Sequence, residues 1–278
     1  MALLSHTLAL LAMAMATTAV DVIPLDMAPD SFDDQYQDCG TKMMAELPAL
    51  NHSEFQQNPL FAQAWLKATA EWQSRGSPMS PLSSPAQAIA LMAYTMDELY
   101  TEFNAAVRTA GHTRQEYRDN FHFKTLHFLL TQALVTLRQA QKEQCHNVYR
   151  GVRKYQFKAK PGDIVRFGQF SSASQSEEIA NRFGSATVFE VYTCHGAAIG
   201  SFSKFPNEEE VLIPPYETFK VIKVSQEGEQ ARIEIRSKGT YSNYTCEWLQ
   251  GGSIPSTPFH LGGLLLATTT LAVATGIL

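Results

Sequence analysis

Neither end of this 278-residue sequence carries formal charge: no Asp, Glu, Lys or Arg stands before Asp21 or after Glu247. The 22 basic and 27 acidic side chains are confined to the stretch between, which leaves one or two domains of ordinary size and favours one. A net charge of −5 offers no general attraction to a phosphate backbone, which removes nucleic acid as the main partner. Phosphate-cradling and hydrolase motifs are also missing. There is no Gly-x-Gly-x-x-Gly after a strand, no Walker A loop, no His-Glu-x-x-His and no Gly-x-Ser-x-Gly, so nucleotide-fold, metalloprotease and serine-hydrolase readings have no support. Cysteine is scarce, and its four copies include no Cys-x-x-Cys, which disfavours a zinc ribbon or a thioredoxin-like pair. The eight histidines are scattered; His122 and His127, five apart, do not share a helical face, and no metal is expected.

The uncharged ends read as addresses. Residues 1–19 hold an apolar run from Leu8 to Met15 followed by small residues, the pattern of a secretory signal peptide, although its n-region lacks Lys and Arg. At the other end Leu261 to Leu278 is weakly polar to apolar throughout. It follows a spacer, Ile254 to His260, and the small residues Gly251, Gly252 and Ser253. Small attachment residues, spacer and terminal tail are what a GPI-attachment signal requires, with 253–278 as the removed propeptide. A spanning helix and simple secretion are the competing readings; no charge follows the tail to anchor a span, and its threonines and glycines weaken it. In an oxidising compartment Cys39, Cys145, Cys194 and Cys246 form two disulfides, with three connectivities open. Sequons at Asn51 and Asn243 fit the same compartment.

The remaining stretch, 20–252, divides by periodicity. Helices are expected over Phe61 to Gln73, over Pro85 to Thr109 with Ser84 as N-cap and Gly111 past the end, and over Thr125 to Gln144, where Leu126, Leu129, Leu130, Ala133 and Leu137 share a face. After Cys145, short β-branched and aromatic segments predict strands at 148–152, 164–167, 187–193, 209–213, 219–224 and 231–235, with a helix over Ser174 to Phe183. Helices first and strands second make the expected class α+β.

Three segments could carry chemistry. In Phe205-Pro206-Asn207-Glu208-Glu209-Glu210-Val211-Leu212-Ile213-Pro214-Pro215, strand alternation would place Glu208 and Glu210 on one side and Glu209 on the other. Paired carboxylates can divide labour at a sugar, one stabilising an oxocarbenium-like centre and one handling a proton; the bland alternative is a solvated acidic turn. In Val148-Tyr149-Arg150-Gly151-Val152, the planar guanidinium of Arg150 suits a phosphate or carboxylate and Gly151 would admit a ligand close to the backbone, unless Arg150 merely decorates an edge strand. In Phe170-Ser171-Ser172-Ala173-Ser174, Ser172 and Ser174 could bond a ligand or orient a carboxylate, or one could cap a helix.

The order Tyr-Arg-Gly, then Phe-x-Ser-x-Ser, then Glu-x-Glu running into Val-Leu-Ile-Pro-Pro resembles the Arg-Ser-Glu signature of the vertebrate ecto-ADP-ribosyltransferases. Ser31-Phe32-Asp33-Asp34, Tyr36, Ala106-Val107-Arg108, Gly111, Phe123-Lys124, Leu126-His127-Phe128 and Arg182-Phe183-Gly184 extend the resemblance over almost the whole chain. It implies an NAD(P)+:protein-arginine ADP-ribosyltransferase with an NAD cleft, in which NAD is the co-substrate, nicotinamide is released and no metal takes part. The acceptors would be arginines of extracellular or cell-surface proteins, and a GPI lipid would hold the enzyme on the outer face of the plasma membrane. On that resemblance Arg150 holds the NAD phosphates and the nicotinamide-side ribose. Gly151 lies with it, Ser172 bonds the ribose and steadies the glutamate, and Phe183 packs on nicotinamide. Glu210 is the catalytic glutamate, Glu208 selects arginine as acceptor, and the disulfides are Cys39–Cys246 and Cys145–Cys194. An NAD glycohydrolase using the same site and a silent binding protein are the rival readings.

Overall fold

The computed structural model describes residues 20–251; the expected signal peptide, the GPI tail, Gly252 and Ser253 lie outside them. After the short strand β1 (Asp21–Pro24) come six helices: α1 (Gly40–Gln57), α2 (Pro59–Ser74), α3 (Pro85–Thr95), α4 (Tyr100–Ala110), α5 (Arg114–Asn120) and α6 (Lys124–Ala140). An eight-stranded mixed sheet follows, made of β2 (His146–Val152), β4 (Ile164–Val165), β5 (Ser171–Ser174), β6 (Thr187–Thr193), β7 (Ala197–Ala198), β8 (Glu210–Ile213), β9 (Glu217–Glu227) and β10 (Gln230–Thr240), in the order β4-β9-β10-β6-β2-β5-β8-β7. β1 pairs in parallel with β3 (Tyr155–Lys158) beside it, and the short helices α7 (Glu177–Arg182) and α8 (Glu247–Gln250) complete the α+β fold.

Two apolar cores correspond to the two halves of the sequence. The first joins the helices through Met43, Phe61, Leu91, Phe103, Phe128 and Leu134 and reaches Phe170 and Leu212 of the sheet side; the second lies among Val148, Phe189, Val211, Phe219 and Ile233. Helix α6 runs through the first core with all five expected face residues buried. His127 on this helix is a packing histidine: Nδ1 meets the Tyr36 hydroxyl at 2.9 Å and Nε2 meets the Phe32 carbonyl at 3.2 Å. Burial holds its pKa down at about 3, so the ring is neutral.

The two ends of the described stretch are tied by a buried ionic knot. Arg166 is fully buried; its Nη1 donates to Asp33 Oδ2 at 2.6 Å and to the Tyr241 carbonyl, while Nε and Nη2 donate to the carbonyls of Met27 and Ala28. Asp33 also accepts from the backbone of Asn243 and Tyr244. Beside the knot, Cys39 is bonded to Cys246, and Cys145 is bonded to Cys194 in the sheet. The first link closes a loop over a separation of 207 residues, which in chain-entropy terms is worth about 5 kcal/mol.

Several expectations need correction. The segment 85–109 is two helices, because Met96 is extended (φ −81°, ψ 143°) and the chain turns before α4. Residues Gln87 to Thr95 of α3 are all buried, and the Thr95 hydroxyl bonds back to the carbonyls of Leu91 and Met92; packing rather than periodicity ends this helix. Ser84 does cap it, accepting from the Gln87 amide. Ser171 to Ser174 is a strand in the sheet rather than a connector, so the next helix starts only at Glu177, capped by Ser176. α1, which contains Pro48, and the short polar α5 gave no usable periodicity. The sequon Asn51 lies inside α1 with its Oδ1 buried, whereas Asn243 is exposed.

Candidate active site

Arg150 stands in the middle of the sheet. Its strand β2 is flanked by β6, in register from His146↔Thr193 to Val152↔Thr187, and by β5, so the edge-strand alternative does not hold. The guanidinium is packed under Phe167, 6.0 Å from its ring centre, and Nη1 donates to the Ser172 carbonyl at 2.6 Å. Burial lowers its pKa, with the nearby Tyr94 and Glu210 opposing the shift; an arginine nevertheless stays charged. Among the described residues no carboxylate lies within ion-pairing distance of it.

Gly151 answers a packing demand different from the one expected. A Cβ there would stand 2.3 Å from the carbonyl oxygens of Ala180 and Gly184, so the missing side chain makes room for the end of α7. The residue still lines the cleft through its backbone.

The two carboxylates reach one site by a route other than strand alternation. Pro206 to Glu208 forms a 3-10 turn, Glu209 takes the left-handed conformation (φ 48°, ψ 44°), and only Glu210 belongs to β8. The kink at Glu209 leaves that side chain exposed and puts both Glu208 and Glu210 on the cleft wall. Register explains what holds this turn. β5 pairs with β8 so that Ser174 faces Glu210 and Ser172 faces Leu212. The Ser174 hydroxyl donates to the Glu208 carbonyl at 2.7 Å, and the Gln175 amide donates to the Glu209 carbonyl at 3.2 Å. Ser174 therefore secures the glutamate turn.

Glu210 is only 6 % exposed, and the Ser203 hydroxyl donates to its Oε2 at 3.0 Å. Burial raises its pKa above the usual carboxyl range, the hydroxyls of Ser172 and Ser203 pull it back, and the charge of Glu208 adds to the rise. Glu208 is raised as well, first by burial and then by the like charge of Asp97.

These groups share a cleft of about 480 Å³. Arg150, Gly151, Ser172, Glu208, Glu210 and Phe183 all line it, and Phe183 is 53 % exposed at the end of α7. The helical half supplies a wall that periodicity did not reveal as functional: Tyr94, Asp97, Tyr100, Asn104 and Arg108. Tyr100, Asn104 and Arg108 recur every four residues along α4, and that polar stripe was the available signal. Burial pushes the Tyr94 hydroxyl up to about 12, so it is a neutral donor, and it bonds the Phe170 carbonyl at 2.9 Å while accepting from Asn104. Ser203, seven residues before Glu210, was also missed. Gly251, the one attachment candidate described, caps α8 and is exposed. No group of three His, Cys, Asp or Glu suited to a metal occurs among the described residues.

A recessed guanidinium with free donors, hydroxyls, and a buried carboxylate beside a second one are the groups that cleavage of a glycosidic bond in a phosphorylated sugar would call on. The comparisons say which. Residues 25–243 match the family model of NAD:arginine ADP-ribosyltransferases. The erythroblast NAD(P)+–arginine ADP-ribosyltransferase of Gallus gallus is 50 % identical over 231 residues, covering 82 % of this chain and 77 % of its own length. The GPI-linked NAD(P)+–arginine ADP-ribosyltransferase 1 of Mus musculus is 49 % identical over 251 residues, covering 86 % and 77 %. The crystal structure of the eukaryotic mono-ADP-ribosyltransferase ART2.2 superposes with a TM-score of 0.70 at 35 % identity, over 81 % of this chain and 98 % of that one, and variants of it have been solved with NADH and with NAD. This chain belongs to the NAD:arginine ADP-ribosyltransferase family. Its reaction is transfer of ADP-ribose from NAD, the co-substrate, to arginine, with release of nicotinamide.

Proposed function

We propose that Arg150, Phe183, Glu210 and Glu208 divide this reaction as follows, with Ser172 bonding the ribose. The free N–H groups of Arg150 hold the NAD diphosphate, since only one of its donors is committed to the protein, at Ser172. Phe183, the aromatic wall, takes the nicotinamide ring. The bond between C1′ of the ribose and the pyridinium nitrogen breaks, its electron pair leaves with nicotinamide, and positive charge develops on the sugar. Glu210, desolvated and steadied by Ser203, is placed to stabilise that charge, which a buried carboxylate does far better than one in water. A guanidinium nitrogen of the acceptor then attacks C1′. Because free arginine is protonated at all ordinary pH, the proton lost on bond formation needs a nearby base; Glu208, with its raised pKa, is the candidate.

The observation that carries this reading is the convergence of Arg150, Ser172, Glu208 and Glu210 on one cleft. The test is incubation of the full chain, expressed in a secretory host, with labelled NAD and agmatine. ADP-ribosyl-agmatine is expected; nicotinamide release with no such product would make the chain a glycohydrolase.

The finer placement follows the relatives. We infer export, removal of residues 1–19 and replacement of the tail by a GPI lipid, so that the acceptors are arginines of extracellular or cell-surface proteins. GPI-linked relatives and the two disulfides support this. Asn243 is the sequon open to a glycan, because Asn51 is bound up in α1. Release from cells by a phosphatidylinositol-specific phospholipase is the expected result, and retention after treatment would contradict the anchor.

A further inference from the structure

The mouth of the cleft carries a carboxylate that the reaction as described leaves without a task. Asp97 sits in the turn between α3 and α4, exposed and lining the same cleft as the glutamate turn, near enough for its charge to act on Glu208. Neither Asp97 nor Glu208 has an ion-pair partner among the described residues. Its neighbour Glu98 differs: it pairs with Lys67 of α2 at 2.7 Å and does not line the cleft.

The two walls are fastened to one another just below these carboxylates. The Lys204 amide donates to the Thr95 hydroxyl at 2.8 Å, and Arg75 of α2 donates to the carbonyls of Ser203 and Lys204 at 2.8 and 3.0 Å. Lys204 itself turns its ammonium away to Glu71. The clasp fixes the turn bearing Asp97 relative to the turn bearing Glu208, and Lys67, Arg75 and Lys204 are each paired with another glutamate. Phe205, 39 % exposed, lines the same mouth and presents a ring on which a planar cation can lie. Deeper in the cleft Asn104, 5 % exposed, has its Oδ1 buried and unpartnered, an acceptor that protein donors leave unused.

Holding two unneutralised carboxylates near each other costs free energy unless a cation joins them. A guanidinium carries its charge in a plane with five N–H donors and can serve both at once. We propose that Asp97 is a specificity-determining residue that forms, together with Glu208, the two-carboxylate seat for the guanidinium of the arginine acceptor. This rests on the transferase reading above and adds a residue from the helical half to it. Glu208 then takes the proton while Asp97 keeps the charge that orients the acceptor.

The test is a steady-state comparison of the full chain with its Asp97→Asn, Asp97→Glu and Glu98→Gln variants, with agmatine and NAD varied separately. Asp97→Asn is expected to raise KM for agmatine about five- to ten-fold with kcat and the KM for NAD within about two-fold, as loss of one charge-assisted contact implies. Asp97→Glu should restore most of the agmatine affinity. Glu98→Gln, which removes an equal charge one residue away, should leave it unchanged. An unchanged KM for agmatine in Asp97→Asn, or an equal loss in NAD hydrolysis without acceptor, would overturn the role of Asp97 while leaving the transferase reading intact. Failure of the unsubstituted chain to modify agmatine at all would instead strike that reading, and this seat with it.

Discussion

Two arginines of this protein, the buried Arg166 and the half-buried Arg150, show how one side chain serves structure in one place and chemistry in another. Arg166 spends four of its five donors on Asp33 and on the carbonyls of Met27, Ala28 and Tyr241, and its side chain is closed off from any ligand. Arg150 gives the protein one bond, to Ser172, and faces a cleft in which the nearest carboxylates are held for other work. Burial of a charge is tolerated in the first case because the charge is paired and hydrogen-bonded. In the second the side chain is only half-buried and opens on the cleft, and the unused donors become binding capacity.

Substitutions should separate the two. The largest effect is expected from Arg166→Met, which strands Asp33 without its cation and should cost about 3–5 kcal/mol of stability, read as a fall in the thermal midpoint. A midpoint within a degree of the parent would break the contrast. Next comes Glu210→Gln, expected to lower NAD cleavage and transfer by about 10²–10³-fold with the fold intact. Because burial raises the folded pKa of Glu210 above its unfolded value, ionisation costs stability as pH rises through the folded pKa. The same variant should therefore melt somewhat higher at neutral pH, and its advantage should vanish below the ordinary glutamate range; a variant less stable at neutral pH would argue against a desolvated carboxylate.

Arg150→Lys keeps the charge but loses the planar fork, so KM for NAD should rise about ten-fold or more while the melting temperature barely moves. Glu208→Gln should be the mildest, lowering transfer to agmatine about ten-fold with a smaller loss of nicotinamide release; equal losses would contradict its separate role. Since Glu208 and Glu210 both have raised pKa values, the acid limb of the transfer profile should lie above the ordinary range for glutamate. Removing the charge of Glu208 should move the limb for NAD cleavage to lower pH, because like-charge repulsion is part of the rise at Glu210.

Much of the fold was legible because periodicity records burial directly. α2, α6, β6 and the strand bearing Arg150 stand within a few residues of where pattern places them. Failures cluster where tertiary contacts override local preference. α3 ends at Thr95 because packing and the Thr95 hydroxyl end it, and Ser171 to Ser174 is extended because β2 and β8 flank it. The acidic pair is the instructive case. Alternation along a strand put Glu208 and Glu210 together for a reason that does not apply, and the left-handed Glu209 with the Ser174 clasp does it instead.

By itself the sequence determined residue identities and their order along the chain: a charge-free start and finish, four cysteines, and Arg150, Ser172, Glu208 and Glu210 in the sequence of a known signature. Those are covalent facts that no folding alters. Only the tertiary structure decided that β2 is central, that among the described residues Arg150 stays unpaired while Arg166 is ion-paired, and that a helical wall with Tyr94, Asp97 and Asn104 lines the cleft. Those properties depend on which groups far apart in the chain come within a few ångströms, and desolvation and pairing energies exist only once they do.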